Sequence, residues 1–271
     1  MSPRLAGQRA VITGAASGIG AGLAREAVRR GMTVVLADWD GDALAALAKE
    51  LGGQAHAYPS DVRDPAALEA LAEAAFAQHG GVDLLFNNAG VLTTGLSWEI
   101  SADAWQRSLD INIGGVVNGL RAFVPRMMAA GGPARIINTA SVGGFLPSPF
   151  MAPYSATKFA VVALTESLAG ELAALGSPIA VSLLAPGPVK TQIFREAPTA
   201  AAQGFHQTMT DLLGTHGMAP EAFAGLVFAA IDRGDYWIIP QPEALDPALD
   251  ARHAGIKARQ APSFYPTGDA S

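Results

Sequence analysis

Apolar residues fall in two kinds of run along this chain, and their alternation predicts its architecture. Short segments rich in Val, Ile, Leu and Ala read as strands: Arg9–Thr13, Thr33–Ala37, Gln54–Tyr58, Val82–Phe86, Arg135–Thr139, Ile179–Leu184 and Tyr236–Ile239. Most are continuously apolar, as strands are when both faces of a parallel sheet are covered. Between them, Ile19–Arg30, Ala43–Leu51, Pro65–Gln78, Ala102–Ala130, Tyr154–Ala174 and Pro220–Asp232 read as helices. Pro65 suits a first helical turn, where its missing N–H costs nothing. Seven strands interleaved with helices predict one α/β domain of three layers, a doubly wound seven-stranded parallel sheet between helices. Two regions break the rhythm. Thr191–Gly217 mixes apolar and flexible residues without a strand and reads as a helical or irregular lid, with Gly204, Gly214 and Gly217 as flexible points. The extension 241–271 carries Pro242, Pro247, Pro262 and Pro266, which predicts short helix and coil packed over the body.

Composition narrows the function classes. Half of the 271 residues are apolar and 15% are charged, the opposite of a disordered chain. A net charge of −6 with dispersed Lys and Arg disfavours a nucleic-acid partner. The absence of cysteine excludes disulfides and thiolate metal sites. His56, His79, His206, His216 and His253 lack metal-ligand spacing, so no metal is expected and all five read as solvent or loop residues. No apolar run approaches the roughly 20 residues of a membrane span, and the first residues lack a signal-peptide pattern. A cytoplasmic protein is the expectation.

The first strand runs into Thr13-Gly14-Ala15-Ala16-Ser17-Gly18-Ile19-Gly20 and then a helix. Glycines at 14, 18 and 20 permit unusual dihedrals and close backbone approach, and the helix start presents unpaired N–H groups to an anion. In a strand–helix–strand unit this loop predicts a pyrophosphate site and a Rossmann-type fold. Asp38 ends the second strand, where a carboxylate can accept both hydroxyls of an adenosine ribose and repel a 2′-phosphate. Ser17 and Trp39 bring no positive charge beside it, so NAD is expected over NADP.

Tyr154 and Lys158 stand four residues apart, one turn along one face of a helix. A lysine cation and an oxidised nicotinamide would both favour phenolate, bringing Tyr154 toward the range useful for acid/base catalysis. Ser141 follows a strand at the sheet edge where such folds bind ligands, thirteen residues before Tyr154.

With these residues in place, the chain resembles the short-chain dehydrogenase/reductase family from Arg9 to about Pro240. The matching segments are Thr13–Gly20, Asp61-Val62, Asn87-Asn88-Ala89-Gly90, Asn112, Ser141, Tyr154 with Lys158, and Pro186-Gly187-Pro188-Val189-Lys190-Thr191. The resemblance implies that Asp61 and Val62 contact adenine and that Asn88, Ala89 and Gly90 line the adenosine side. It implies that Pro186, Gly187, Val189 and Thr191 wrap the nicotinamide end and that Lys158 holds the nicotinamide ribose. Asn112 would kink its helix and anchor a water linking Lys158 to solvent. Ser141 would hold the substrate oxygen and Tyr154 exchange its proton, with hydride moving to or from nicotinamide. The resemblance also suggests a homodimer or homotetramer.

The expected substrate walls are Leu92, Gly143 to Leu146, Phe150, Met151, Phe194 and Phe205, which suit a neutral, fairly hydrophobic secondary alcohol or ketone. Arg195 and Lys190 leave a charged substrate open. An NADPH-linked carbonyl or ketoacyl reductase is the rival within enzymes. A sensor or scaffold that has lost catalysis is the rival outside them, and such proteins usually lose Tyr154 or Lys158.

Overall fold

The apolar strands divide their side chains between two opposite cores. In the computed structural model, which describes residues 5–262 and 264, β1 (Arg9–Thr13) sends Ala10 and Ile12 to one core and Val11 to the other. β2 (Thr33–Asp38) places Val34 and Leu36 in the first core and Val35 and Ala37 in the second. Beyond β3 (Ala55–Pro59), the split recurs in β4 (Leu84–Asn87), with Phe86 opposite Leu85, and in β5 (Ala134–Thr139), with Ile137 opposite Ile136. Successive side chains point to opposite faces of a strand, so a sheet covered on both sides leaves its central strands no polar face.

With β6 (Ile179–Leu184) and β7 (Trp237–Ile238), the seven strands run parallel in the order β3-β2-β1-β4-β5-β6-β7. On one face α1 (Gly18–Arg29), α2 (Gly41–Leu51) and α8 (Pro220–Arg233) bury Leu23, Leu44 and Phe228. On the other, α3 (Pro65–His79), α5 (Gly115–Ala130) and α6 (Ala152–Ala174) bury Leu71, Phe123 and Leu168. The order of strands reverses between β1 and β4, and the carboxyl ends of those two strands open the crevice where such sheets bind ligands.

Several expectations change in detail. The single helix expected over Ala102–Ala130 is three pieces: α4 (Ala102–Leu109), a π-helical segment (Asp110–Gly114) and α5. Asn112 sits fully buried at the centre of the π segment. Extra residues inserted into a helix in this way are frequent at functional sites, and apolar periodicity is too coarse to reveal them. The lid contains a helix, α7 (Gln203–His216), none of whose residues is fully buried. Its Phe205, Met209 and Leu213 recur every four positions and face one apolar cluster, the signal that would have located it. The extension forms a single turn (Pro242–Ala244) and α9 (Asp246–Lys257). Leu245 is buried, and the Arg252 guanidinium lies 5.2 Å from the centre of the Phe159 ring. Pro266 lies outside the described residues.

Close packing at the back of the site tests this architecture. A Cβ on Gly119 of α5 would stand 2.2 Å from the Asn87 side-chain oxygen, whereas a Cβ on Gly170 of α6 meets nothing within 4 Å. Gly170→Ala is expected to gain about 0.5–1 kcal/mol from helix propensity. Gly119→Ala should lose roughly 1–3 kcal/mol, because the clash outweighs the same propensity gain. Urea unfolding of the two variants measures both signs.

Candidate active site

The glycine loop joins β1 to α1 and packs against the segment that follows β4. Gly14 has φ +65°, and a Cβ there would stand 2.8 Å from Ala89 Cα; one on Gly20 would stand 2.0 Å from the Gly14 carbonyl oxygen. Asn88 Nδ2 donates to the Thr13 carbonyl at 3.0 Å, and the Asn88 and Ala89 amides donate to Thr13 Oγ1 at 2.9 and 3.2 Å. These bonds join the ends of β1 and β4. Ser17 is the extended N-cap of α1, its side chain makes no capping bond, and no acidic residue occupies the first turn. Amides left without a cap, at the positive end of a helix dipole, suit a phosphate.

A cavity of about 520 Å³ follows the carboxyl edge of the sheet. Every residue nominated above for the dinucleotide lines it, from Gly14, Ser17, Gly18, Ile19 and Gly20 through Asp38, Trp39, Asp61 and Val62. Asn88, Ala89, Gly90, Tyr154, Lys158, Pro186, Gly187, Val189 and Thr191 complete that set. The Asp38 carboxylate accepts from the Ala16 amide at 3.0 Å and the Asp40 amide at 3.1 Å, which fixes it at the cavity wall. Arg63, which the sequence reading did not weigh, also lines the cavity. It is tied to Asp61 by bonds of 2.6–3.0 Å, and the guanidinium holds the Asp61 carboxyl below its ordinary value.

Two more residues absent from the sequence reading position this cavity. Asn118 of α5 donates to the Val62 carbonyl at 2.9 Å. Gln241, in the extension, accepts from the Gly187 amide at 3.1 Å and donates to the Pro188 carbonyl at 2.8 Å, bracing the segment after β6. A Cβ on Gly187 would stand 2.9 Å from that glutamine's side-chain oxygen. A lone glutamine far along the chain carries no sequence signal for such a role.

Ser141, Tyr154 and Lys158 converge at one end of the cavity. Ser141 Oγ accepts from the Gly143 amide at 3.0 Å. A Cβ on Gly143 would stand 3.2 Å from Tyr154 Cε1 and 3.5 Å from Ser141 Oγ, so the glycine leaves room for the phenol rather than for substrate. Lys158 Nζ donates to the Thr139 carbonyl at 2.9 Å and lies 5.7 Å from the Tyr154 ring centre. Asn112 is fully engaged: its oxygen accepts from the Val91 amide at 2.8 Å, and its nitrogen donates to the Val91 carbonyl at 3.0 Å and Thr157 Oγ1 at 2.9 Å. Both amide hydrogens are committed, so the side chain ties β4's loop to α6 instead of presenting a donor to water.

The electrostatics depart from the sequence expectation in one respect. Burial raises the Tyr154 phenol above its ordinary value, and the Ser141 hydroxyl beside it offsets only part of that effect. Burial also lowers the Lys158 ammonium to about 8. Desolvation penalises the charged form of each group.

Above Tyr154, Leu92, Met151 and Phe194 form a buried apolar cluster with Ile193, Phe205, Met209 and Leu213 packed against it. Phe150 stacks on Phe205 with ring centres 5.5 Å apart. Leu146 belongs neither to this cluster nor to the cavity lining, and Phe145 turns away to Trp237, 5.9 Å between ring centres. The lid is docked by polar contacts. Arg107 of α4 pairs with Glu196, Thr93 Oγ1 donates to Glu196 at 3.0 Å, and the Thr199 amide donates to the Thr94 carbonyl at 3.1 Å. His206 Nδ1 lies 3.0 Å from Thr94 Oγ1, and its ring meets the edge of Phe194. It is a latch residue, not the solvent histidine expected. His56 and His79 likewise stack on each other at 4.3 Å. Among the described residues no three His, Asp or Glu side chains group to hold a metal, and no helix is long and apolar enough to cross a membrane.

A glycine loop without a side-chain cap, a carboxylate at the end of β2, and a Ser–Tyr–Lys cluster on one cavity define a dinucleotide-dependent oxidoreductase. The chain belongs to the short-chain dehydrogenase family, whose pattern it matches over residues 8–214. It is 38% identical over 240 residues to 1-deoxy-11-beta-hydroxypentalenate dehydrogenase of Streptomyces exfoliatus, covering 87% of this chain and 83% of the relative. Among solved structures it is similar to a short chain dehydrogenase/reductase from Burkholderia phymatum in complex with NAD. That likeness has a TM-score of 0.92 and 36% identity and covers 97% of this chain and 99% of the other. It is also similar to the apo form of LigD from Sphingobium sp. strain SYK-6, with a TM-score of 0.79 and 31% identity, covering 96% and 100% of the two chains. The comparisons support a nicotinamide dinucleotide as cofactor.

The buried lysine has a consequence for stability. Its value falls from 10.5 unfolded to about 8 folded, so folding sheds a proton between those pH values. The penalty is complete below about pH 8 and fades as pH rises toward the unfolded value. Lys158→Met is therefore expected to stabilise the cofactor-free protein at neutral pH, by roughly 3 kcal/mol at most less the lost bond to Thr139. Urea midpoints of wild type and variant should converge as pH is raised to about 10.

Proposed function

We propose that the protein interconverts hydrophobic secondary alcohols and ketones with NAD, Tyr154 being the acid/base. One observation carries this reading: Ser141, Tyr154 and Lys158 meet between the dinucleotide cavity and the apolar cluster of Leu92, Met151 and Phe194. The bound nicotinamide supplies the hydride acceptor or donor. The residues of the chain do the rest. Ser141 Oγ holds the substrate oxygen, and Tyr154 Oη removes its proton in oxidation or delivers one in reduction. Lys158 holds the nicotinamide ribose, and its ammonium favours the phenolate once the charge is sealed under cofactor and lid. Asn112 acts by position, keeping Val91, Thr157 and the helix of Tyr154 in register. Burial favours the protonated phenol, which suits it to donate in reduction; oxidation needs its deprotonated form and should accelerate as pH rises.

The Streptomyces relatives, named as dehydrogenases of a hydroxylated compound, support the alcohol direction. NAD over NADP follows from the Asp38 carboxylate, fixed where a 2′-phosphate would lie, and from Arg63 being committed to Asp61. Trp237 on edge strand β7 and Leu226 on α8 are exposed, which supports assembly of a homodimer or homotetramer.

Tyr154→Phe should lower kcat by at least about a thousandfold, within the usual reach of acid/base catalysis, while NAD still quenches the fluorescence of exposed Trp39. Near-normal turnover of a panel of secondary alcohols by that variant would remove the phenol from the mechanism.

Asp38→Ala should raise kcat/KM with NADP relative to NAD by about tenfold or more, since one buried charge repulsion is worth over 1.4 kcal/mol. Parallel assays with the two cofactors read the ratio directly.

A further inference from the structure

A second cavity, of about 640 Å³, opens off the first and is lined by cations. The two share Ser17, Gly18, Thr191, Gln192, Arg195 and Leu213, so the spaces are continuous. Arg25, Lys190 and Arg195 line the second cavity and no Asp or Glu does, in a chain whose net charge is −6. Arg25 is committed to Glu50 and Glu221. Lys190 and Arg195 take part in no ion pair among the described residues. The remaining wall mixes neutral polar side chains, Ser17, Thr191, Gln192 and Thr210, with Phe194 and Leu213, which are shared with the cluster around Tyr154.

The two free cations rest on fixed backbone. The Lys190 amide donates to the Met218 carbonyl at 2.9 Å, and the Met218 amide to the Pro188 carbonyl at 2.9 Å. Gly217 lets this pairing close up, since a Cβ there would stand 2.9 Å from the Lys190 nitrogen. The Arg195 amide closes a turn onto the Gln192 carbonyl at 3.1 Å. Both side chains are exposed and unpaired beside Phe194 and Leu213, and such cations suit a carboxylate, which a guanidinium can take in two parallel bonds.

Building on the proposed alcohol oxidation, we propose that this cavity is a subsite for a carboxylate at the far end of the substrate, bound by Arg195 and Lys190. The substrate is then an amphipathic hydroxy or oxo acid: its reacting carbon lies at Tyr154, its apolar body against Phe194 and Leu213, its anion in the cationic cavity. This takes up the charged substrate that Arg195 and Lys190 left open in the sequence, in place of a neutral one.

The test compares 7-hydroxyoctanoate with octan-2-ol, which share the carbinol end and differ in the remote carboxylate. Wild-type protein with NAD should show a KM about tenfold or more lower for the acid, the scale of a charge-assisted bond, and added salt should narrow the gap. In the Lys190→Gln/Arg195→Gln variant the two KM values should converge because that of the acid rises. Equal values in the wild type, or a gap preserved in the variant, would overturn the subsite. So would a loss of NAD affinity in the variant with the gap intact, which would assign the cations to the pyrophosphate. If neither alcohol is turned over, the alcohol reading fails separately. Calorimetry of octanoate binding to the NAD complex then decides the subsite, upheld by loss of binding in the variant and overturned by equal or absent binding.

Discussion

The ammonium of Lys158 lies buried at the carboxyl edge of the sheet, with the Thr139 carbonyl as its protein acceptor at 2.9 Å. A charge in that position is expensive, and the lowering of its value to about 8 expresses the expense. The surroundings keep it there. β5 supplies the carbonyl, α6 carries the side chain, and Asn112 locks the loop after β4 onto α6 through Val91 and Thr157. A Cβ on Gly90 would stand 3.3 Å from both Lys158 Nζ and Asn112 Oδ1, so the lysine and the amide share one small space. The π segment is part of the same arrangement, because it places Asn112 inward in a helix that otherwise packs by its apolar face.

Two unequal cores make such a site tolerable. The sheet buries Leu, Ile, Val and Phe on both faces, and the energy of that burial is spread over its full width. The site lies at one edge, where strand order reverses and backbone amides are freed by glycine. Stability held elsewhere lets the edge carry an uncapped helix start, a desolvated phenol and a buried lysine. The lid adds a polar latch, Arg107–Glu196 with Thr93 and His206 with Thr94, beside an apolar underside.

Much of this was legible before any coordinates. The continuous apolar strands predicted the parallel sheet, and the glycine loop with Asp38 and the Ser141, Tyr154 and Lys158 set lie on one cavity as their order suggested. Boundaries moved by one or two residues, as at β4, which starts at Leu84 rather than Val82. What escaped was of another kind. Gln241 and Asn118 act through hydrogen bonds to residues far along the chain, which no local pattern marks, and Arg63 acts through its pairing with nearby Asp61. The segment 191–217 read only as helical or irregular, and the four-residue spacing of Phe205, Met209 and Leu213 that marks α7 was the signal left unused.

By itself the sequence determined the class of fold and nominated the candidate catalytic residues, because both follow from local period, glycine placement and residue type. The tertiary structure decided how those groups are charged and how they are held. Desolvation depends on everything packed around a group, so only the folded chain shows the Tyr154 phenol raised and Lys158 lowered. It alone shows that Asn112 spends its amide on the scaffold and that Lys190 and Arg195 meet in a second cavity.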